Sequence, residues 1–138
     1  RIGIVLSREG GALKKIASPI KFFAGAPLGS GKQYMNWIHI DDLCEMFIKA
    51  IKDENMKGAY NAVSPNPVTN REMTNAIAKI LHRPLILPAV PAFVLKMMLG
   101  EMSDLVLKGS RVSAEKIVKT GFKFKFPTLE KALQDVLI

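Results

Sequence analysis

A glycine-punctuated loop is the segment of this chain that comes nearest to a known phosphate-binding pattern. It reads Gly29-Ser30-Gly31-Lys32, and glycine backbone can approach a ligand closely or adopt positive φ. The nucleoside-triphosphate motif requires another glycine five residues before Gly31 and a Ser or Thr after the lysine. Ala26 and Gln33 occupy those positions, so that motif is excluded. The three spaced glycines of a dinucleotide-binding fingerprint are also missing from the sequence.

Histidine and cysteine side chains offer a second kind of chemistry. His39 lies between isoleucines in a predicted strand, and we favour a buried histidine bonded to backbone or to Asp42 over a catalytic group, because no nucleophile accompanies it. The two histidines lack metal-ligand spacing and companion ligands, so no metal site is predicted. The single cysteine, Cys44, falls in a predicted amphipathic helix and is expected to be a small buried side chain. One cysteine allows no intrachain disulfide, which fits a reducing cytoplasm or organelle matrix, and a cytoplasmic location is predicted.

Short strands and helices alternate around the glycine loop. The strand predicted over Arg1–Leu6 is apolar from Ile2 onward, which is typical of a strand buried on both faces of a parallel sheet. A brief strand is predicted over 37–40, and Asp41 or Asp42 is expected to cap the helix that follows. A further strand is predicted over 59–63, and a strand–helix–strand order implies a crossover in a parallel sheet. Because the strands over 1–6 and 59–63 with one crossover make too small a sheet to be stable alone, we expect both to pair with strands outside this chain.

From residue 65 onwards the pattern is mostly helical. Thr69 and Glu72 match a capping box at the start of an amphipathic helix. Pro91 can begin another helix, which is apolar on nearly all faces and is expected to form a buried wall of a pocket. A short helix is predicted over 101–108. The alternation of Phe and Lys over 122–126 has the period of two that is typical of a strand.

Composition and charge narrow the classes of partner. The chain has 138 residues and a formal net charge of +8, which suggests an anionic partner. Its basic residues are spread along the chain without a run of five and without interleaved aromatics, so nucleic-acid binding is the weaker interpretation. A nucleotide cofactor or a phosphorylated substrate accounts for the charge as well. The sequence has no stretch of eighteen apolar residues, so no membrane partner is predicted.

Several short motifs, in order and spacing, resemble the C-terminal part of an extended short-chain dehydrogenase/reductase. More narrowly, they resemble the NAD(P)-dependent, epimerase-like subfamily that ends in a domain of unknown function. The resemblance covers nearly the whole chain and rests on Arg1 to Leu6, Gly10 to Leu13, Ala26 to Gln33, Trp37 to Leu43, Pro67 to Asn70, Arg111-Val112 and Gly121 to Phe124.

The resemblance implies an α/β fold in two parts. Residues 1–64 would supply the terminal strands and crossover of a doubly wound parallel (Rossmann-type) sheet, including a substrate-cleft loop over 25–37. Residues 65–138 would form a small, mostly helical substrate lobe. Because the chain opens within a predicted strand, we expect the N-terminal Rossmann segment to lie upstream of Arg1 and to be a partner of these residues.

The family also implies a cofactor and a catalytic pair. The cofactor would be NADP or NAD, and catalysis would use a Tyr-x-x-x-Lys pair in which the tyrosine is the acid/base. Neither Tyr34 nor Tyr60 is followed by lysine four positions on, so no catalytic residue is assigned to this chain. The resemblance therefore implies that a longer protein carries out hydride transfer on an unidentified small substrate. This chain alone would be inactive.

The same resemblance suggests where ligands would contact these residues. Ile4, Val5 and Leu6 would lie near the nicotinamide end of the cofactor. Substrate contacts are predicted for residues of the cleft and lobe, namely Gly31, Gln33, Trp37, His39 and Arg111.

Each of these residues also has a structural interpretation. Gln33 is equally suited to stabilising a turn, and Trp37 is more typical of a core or domain junction. Nucleotide-sugar epimerases usually carry an arginine where this chain has Met35, which makes a nucleotide-sugar substrate doubtful.

Two other functions remain open at this point. One is a non-catalytic module whose basic surface recruits nucleic acid or protein. The other is a regulatory protein of the same fold that senses NADP without turnover. A homo-oligomer is compatible with each of them.

Overall fold

The computed structural model describes residues 1–102, 104 and 107–138. Its helices are α1 (Gly11–Lys21), α2 (Ile40–Lys52), α3 (Asn70–Ile80), α4 (Ala92–Leu99), α5 (Glu115–Val118) and α6 (Leu129–Leu137), with a 3-10 turn at Gly100–Met102. Its strands are β1 (Ile4–Leu6), β2 (Tyr34–Met35), β3 (Trp37–His39) and β4 (Val68–Thr69). The predicted α/β class is confirmed.

The two longer strands form a parallel pair. β1 lies beside β3, with Ile4 opposite Trp37 and Leu6 opposite His39. The predicted strand over 37–40 is therefore one neighbour of the first strand within this chain. The expected pairing with strands outside the chain stays a prediction. The shorter β2 and β4 pair antiparallel, and together they connect the cleft loop to the start of α3.

The strand predicted over 59–63 is reduced to a single bridge between Ala62 and Ile2. The Ala62 amide donates to the Arg1 carbonyl, but the Ser64 amide donates instead to the Trp37 carbonyl at 2.6 Å. The backbone thus changes partner after two residues, which prevents a longer ladder.

The sheet separates two apolar clusters, because successive strand residues point to opposite faces. Leu6 and Trp37 belong to a cluster with α1, α3 and α6. Ile38 belongs to the other, with α2 and α5, and Val5 packs against it. The first cluster contains residues from both sides of position 64, so the proposed division into 1–64 and 65–138 stays a prediction.

Local expectations had mixed outcomes. The capping box of Thr69 and Glu72 is confirmed, and α4 begins directly after Pro91. The segment 122–126 is not a strand, because its amides at 125 and 126 donate to a side-chain carboxylate rather than to a neighbouring strand. The helix predicted over 101–108 falls partly on residues 103, 105 and 106, which lie outside the described residues.

Cys44 is exposed, which corrects the expectation of a buried thiol. The buried face of α2 carries Leu43 and Met46, and Cys44 lies beside Phe47 and Ile51 on the outward face. Helical spacing puts positions 44, 47 and 51 together, so the apolar residues of α2 form two faces instead of one stripe.

None of the helices among the described residues is long and apolar enough to cross a membrane.

Candidate substrate-cleft loop

The cleft loop turns at two glycines in the left-handed region. Gly29 has φ 57° and Gly31 has φ 70°, values that favour glycine over other residues. A Cβ placed on Gly31 would lie 3.1 Å from the Cβ of Arg71, so the loop backbone rests directly on the first turn of α3. Glycine at position 31 is thus favoured by its positive φ and by the tight contact with Arg71.

Gln33 closes the loop from inside. Its side chain is 8% exposed, and its Nε2 donates to the Leu28 carbonyl at 2.9 Å. The Gly31 amide donates to the same carbonyl at 3.0 Å. The structural interpretation of Gln33 as a turn-stabilising residue is confirmed, while its contact with a substrate stays a prediction.

The N-terminus of α3 completes the anchoring. A helix start leaves backbone N–H groups without intrahelical partners. The Asn70 amide donates to the Gln33 carbonyl at 2.8 Å, and the Arg71 amide donates to the Gly31 carbonyl at 3.0 Å. The amides on either side of these two form the capping box, in which the Thr69 amide donates to the Glu72 carboxylate and the Glu72 amide to the Thr69 hydroxyl. Two backbone N–H groups of the first turn of α3, those of Asn70 and Arg71, are therefore bonded by carbonyls of the loop.

Sequence reasoning missed the side chains of Asn70 and Arg71. The Arg71 guanidinium donates to the Ser30 carbonyl at 3.2 Å, and the Asn70 Oδ1 accepts from the Leu28 amide at 2.8 Å. The available signal was their position, since they follow a predicted N-cap at Thr69 and so must lie in the first turn of the helix.

A second segment of the lobe lies along β2. The Tyr34 amide donates to the Gly109 carbonyl at 3.2 Å, and a Cβ on Gly109 would collide with that tyrosine's backbone. The Asn36 side chain then bonds both neighbours of Arg111: its Nδ2 donates to the Ser110 carbonyl at 2.8 Å, and its Oδ1 accepts from the Val112 amide at 2.9 Å. Asn36 thereby fixes the backbone that carries Arg111.

Arg111 is exposed beside a shallow groove of about 300 Å³. The groove is lined by Tyr34, Pro65, Asn66, Pro67, Thr69, Glu72 and Arg111. This surface presents a guanidinium, a phenol and a carboxylate to one small volume, so it can bind a polar ligand by hydrogen bonds and charge. Within the groove the Thr69 hydroxyl donates to the Glu72 carboxylate at 3.0 Å, a contact that belongs to the capping box of α3.

Trp37 and His39 lie in the interior. Trp37 is 0% exposed and its indole N–H donates to the Asn66 carbonyl at 3.1 Å. The His39 Nδ1 accepts from the Asp41 amide at 3.1 Å, and its Nε2 lies 3.2 Å from Asp135 Oδ2.

The expectation of a buried histidine bonded to backbone is confirmed for His39. The carboxylate beside it is that of Asp135, and not of Asp42 as expected. His39 itself caps α2, which corrects the assignment of the cap to Asp41 or Asp42, because the strand ends one residue earlier than expected.

The predicted cofactor contacts lie on β1. Ile4 and Val5 are half-buried, and the Leu6 side chain is fully enclosed in the first apolar cluster. Beyond them the chain turns through Gly10, which has φ 133° and no atom within 4 Å of the position of a Cβ. Any ligand at this end of β1 would meet backbone and the open glycine turn rather than the Leu6 side chain.

Metal-binding groups were sought as clusters of His, Cys, Asp and Glu. Within 1–102, 104 and 107–138, no three of these residues lie close enough to hold an ion.

Comparisons with known proteins agree with this architecture. The family model described as "Domain of unknown function (DUF1731)" matches residues 90–136. The chain is 42% identical over 137 residues to an epimerase family protein, the SDR39U1 homolog of Arabidopsis thaliana chloroplasts, and covers 99% of itself and 39% of that protein. It is 40% identical to epimerase family protein YfhF of Bacillus subtilis, of which it covers 45%. The chain thus spans less than half the length of these relatives.

Solved structures show the same correspondence. Human epimerase family protein SDR39U1 (isoform 2), crystallised with NADPH, is 33% identical and superposes with a TM-score of 0.91 over 99% of this chain and 46% of its own. A nucleoside-diphosphate sugar epimerase from Corynebacterium glutamicum is 27% identical with a TM-score of 0.74, over 99% of this chain and 25% of its own. The chain therefore corresponds to the C-terminal part of proteins named as epimerase family members, in agreement with the resemblance to the epimerase-like short-chain dehydrogenases/reductases.

Proposed function

We propose that this chain is the substrate-side part of an NAD(P)-dependent oxidoreductase or epimerase. The longer protein would transfer hydride to or from a carbonyl or alcohol carbon of a small substrate. The observation that carries the proposal is the superposition, over 99% of this chain, on a human relative that binds NADPH. The acid/base tyrosine and its lysine would belong to residues upstream of Arg1, because neither tyrosine here has lysine four positions on.

The residues present suit one end of the dinucleotide. β1 and β3 are parallel and end at the same edge of the sheet, where ligands of such folds bind. The backbone of Ile4–Leu6 and the open turn at Gly10 would accommodate the nicotinamide end. No glycine fingerprint for the pyrophosphate occurs in this sequence, so the remainder of the cofactor would be held by upstream residues. When bound, NAD(P) would supply the hydride acceptor or donor.

The substrate would meet the cleft loop and the groove beside Arg111. The exposed guanidinium next to Tyr34 and Glu72 suits a polar group that carries or shares negative charge. The loop contributes shape through the Gly31 turn, which Gln33 closes from inside. Trp37 and His39 would support this wall from behind, because both are enclosed in this structure.

The test uses the full-length protein that contains this chain. It would be titrated with NADPH, followed by cofactor fluorescence, and then assayed for NADPH oxidation with a panel of aldehydes and ketones. Saturable binding with turnover of a panel member supports the enzyme. Binding without turnover across the panel favours the regulatory alternative, and absence of NADPH binding overturns both. Binding of duplex DNA that weakens steeply with salt would favour the basic module instead.

A further inference from the structure

We infer that Asn70 is the positioning residue that sets the shape of the substrate-cleft loop, acting through Leu28 and Met35. The inference rests on the proposed function in one respect, which is that the loop is taken to form a wall of the substrate cleft. Its geometry stands on contacts within the chain. Asn70 is 4% exposed and is the first residue of α3. Along the sequence it lies 42 positions after Leu28 and 35 positions after Met35.

One residue reaches the loop at three separate points. The Asn70 Oδ1 accepts from the Leu28 amide at 2.8 Å, its backbone amide donates to the Gln33 carbonyl at 2.8 Å, and its Nδ2 lies 3.3 Å from the Met35 Sδ. The contacted residues lie on both sides of the glycine turn, because Leu28 precedes Gly29 whereas Gln33 and Met35 follow Gly31. A backbone amide can only donate, so the side-chain oxygen must face Leu28 and the NH₂ must face the sulfur.

This arrangement also fixes where the Met35 side chain lies. Met35 packs against the first apolar cluster while its sulfur accepts from Asn70. The thioether therefore points inward, and position 35 presents no cation or polar head to the cleft. Charge recognition at this wall falls to other groups, of which Arg111 is exposed beside the groove.

The backbone of Asn70 is held in turn by its own helix. Thr74 donates to the Asn70 carbonyl at 2.8 Å, and the capping box at Thr69 and Glu72 fixes the preceding residue. The backbone on both sides of the Asn70 side chain is thus hydrogen-bonded within the first turn of α3, which supports the assignment of Asn70 as the residue that holds the loop.

The experiment measures amide hydrogen exchange at Leu28 and the rate of trypsin cleavage after Lys32 in the full-length protein that contains this chain. Asn70→Ala should speed both by about tenfold or more, since it leaves a buried donor unsatisfied. Asn70→Asp keeps an oxygen acceptor for Leu28 and should restore its protection. Met35→Leu removes only the sulfur acceptor and should loosen residues near 35 while Leu28 stays protected. Asn75→Ala, an exposed change on the same helix, is the matched control and should change neither rate.

Exchange of the buried Leu133 amide in α6 separates local from global effects. Selective loss of protection at Leu28, with Leu133 unchanged, supports the inference. Unchanged exchange at Leu28 in Asn70→Ala would overturn it, as would equal losses at Leu28 and Leu133 in Asn70→Asp. None of these readouts requires cofactor or substrate, so failure here is distinct from failure of the proposed enzyme activity.

Discussion

The Nε2 of His39 lies 3.2 Å from the Oδ2 of Asp135, which joins the end of β3 to the C-terminal helix across 96 residues of sequence. The other ring nitrogen accepts from the Asp41 amide, so the Nε2 carries the hydrogen and donates it to Asp135. The ring also stacks on Phe126, with centroids 3.8 Å apart. His39 thus combines a helix cap, a hydrogen bond to α6 and an aromatic contact.

His39→Ala should lower the free energy of unfolding by about 2–4 kcal/mol, because it removes the cap of α2 and a buried ring. His39→Asn can keep the capping acceptor and should recover about 1 kcal/mol of that loss. Urea unfolding of both variants measures the difference. Asp135→Ala removes a half-exposed partner and should cost less than about 1 kcal/mol. A loss in Asp135→Ala as large as in His39→Ala would show that the cap is not the main contribution.

Asp42 holds the segment 122–126 against α2. Its buried carboxylate accepts from the Lys125 amide at 2.7 Å and from the Phe126 amide at 3.0 Å. Asp42→Asn should lower the free energy of unfolding by about 2 kcal/mol, since the new NH₂ cannot accept from a backbone donor. The matched control is Asp41→Asn, which removes only an exposed pairing with Lys125 and should cost less than about 1 kcal/mol. Equal costs for the two variants would contradict this account.

Arg111 provides the prediction closest to activity. In the full-length protein, Arg111→Ala should raise the KM for a carbonyl substrate identified by the panel about tenfold, because it removes the exposed cation of the groove. The affinity for NADPH should not change, since the groove is separate from β1. Arg83→Ala, which removes a cation that contacts Phe23 elsewhere on the lobe, should leave both constants unaltered. A loss of NADPH affinity in Arg111→Ala alone would place this residue at the cofactor instead.

The pairing of Lys125 with Asp41 gives a pH-dependent prediction. The hydrogen bond from the Lys125 ammonium to the Asp41 carboxylate, 3.0 Å long, raises the pKa of Lys125 above its ordinary value. The contribution of the pair to stability is therefore present below the pKa of an unfolded lysine and is lost as the pH rises through the raised pKa. An NMR titration of the lysine Cε signals should show a lower pKa for Lys125 in Asp41→Asn. Glu45→Gln removes a charge from the same helix and should leave the raised pKa of Lys125 in place.

Local patterns predicted much of the fold because they depend on neighbouring residues. The capping box at Thr69 and the helix start after Pro91 are set within one helical turn. The strand predicted over 59–63 failed because its backbone divides its hydrogen bonds between Arg1, Gly3 and Trp37. The segment 122–126 failed because a side chain 83 residues away takes its amides. Partners this distant leave no local trace in the sequence.

In the candidate site, too, local features were predicted from the sequence and long-range contacts were not. The glycine turn and Gln33 were foreseen from the loop itself. The roles of Asn70 and Asn36 were not, because each amide acts on backbone that is far away along the chain. An asparagine in a helix start or beside a strand has many structural uses, so its residue type alone does not identify the segment it will hold.

The placement of Trp37 and Ile38 in two different clusters has a consequence for the evolution of this protein. A one-residue insertion between Tyr34 and Trp37 would swap the indole and the isoleucine between compartments of unequal size. Each compartment would then be overfilled or left hollow, at a cost of several kcal/mol. We therefore expect length changes to be tolerated in turns such as 53–58, and rejected between Tyr34 and Trp37 at the start of β3.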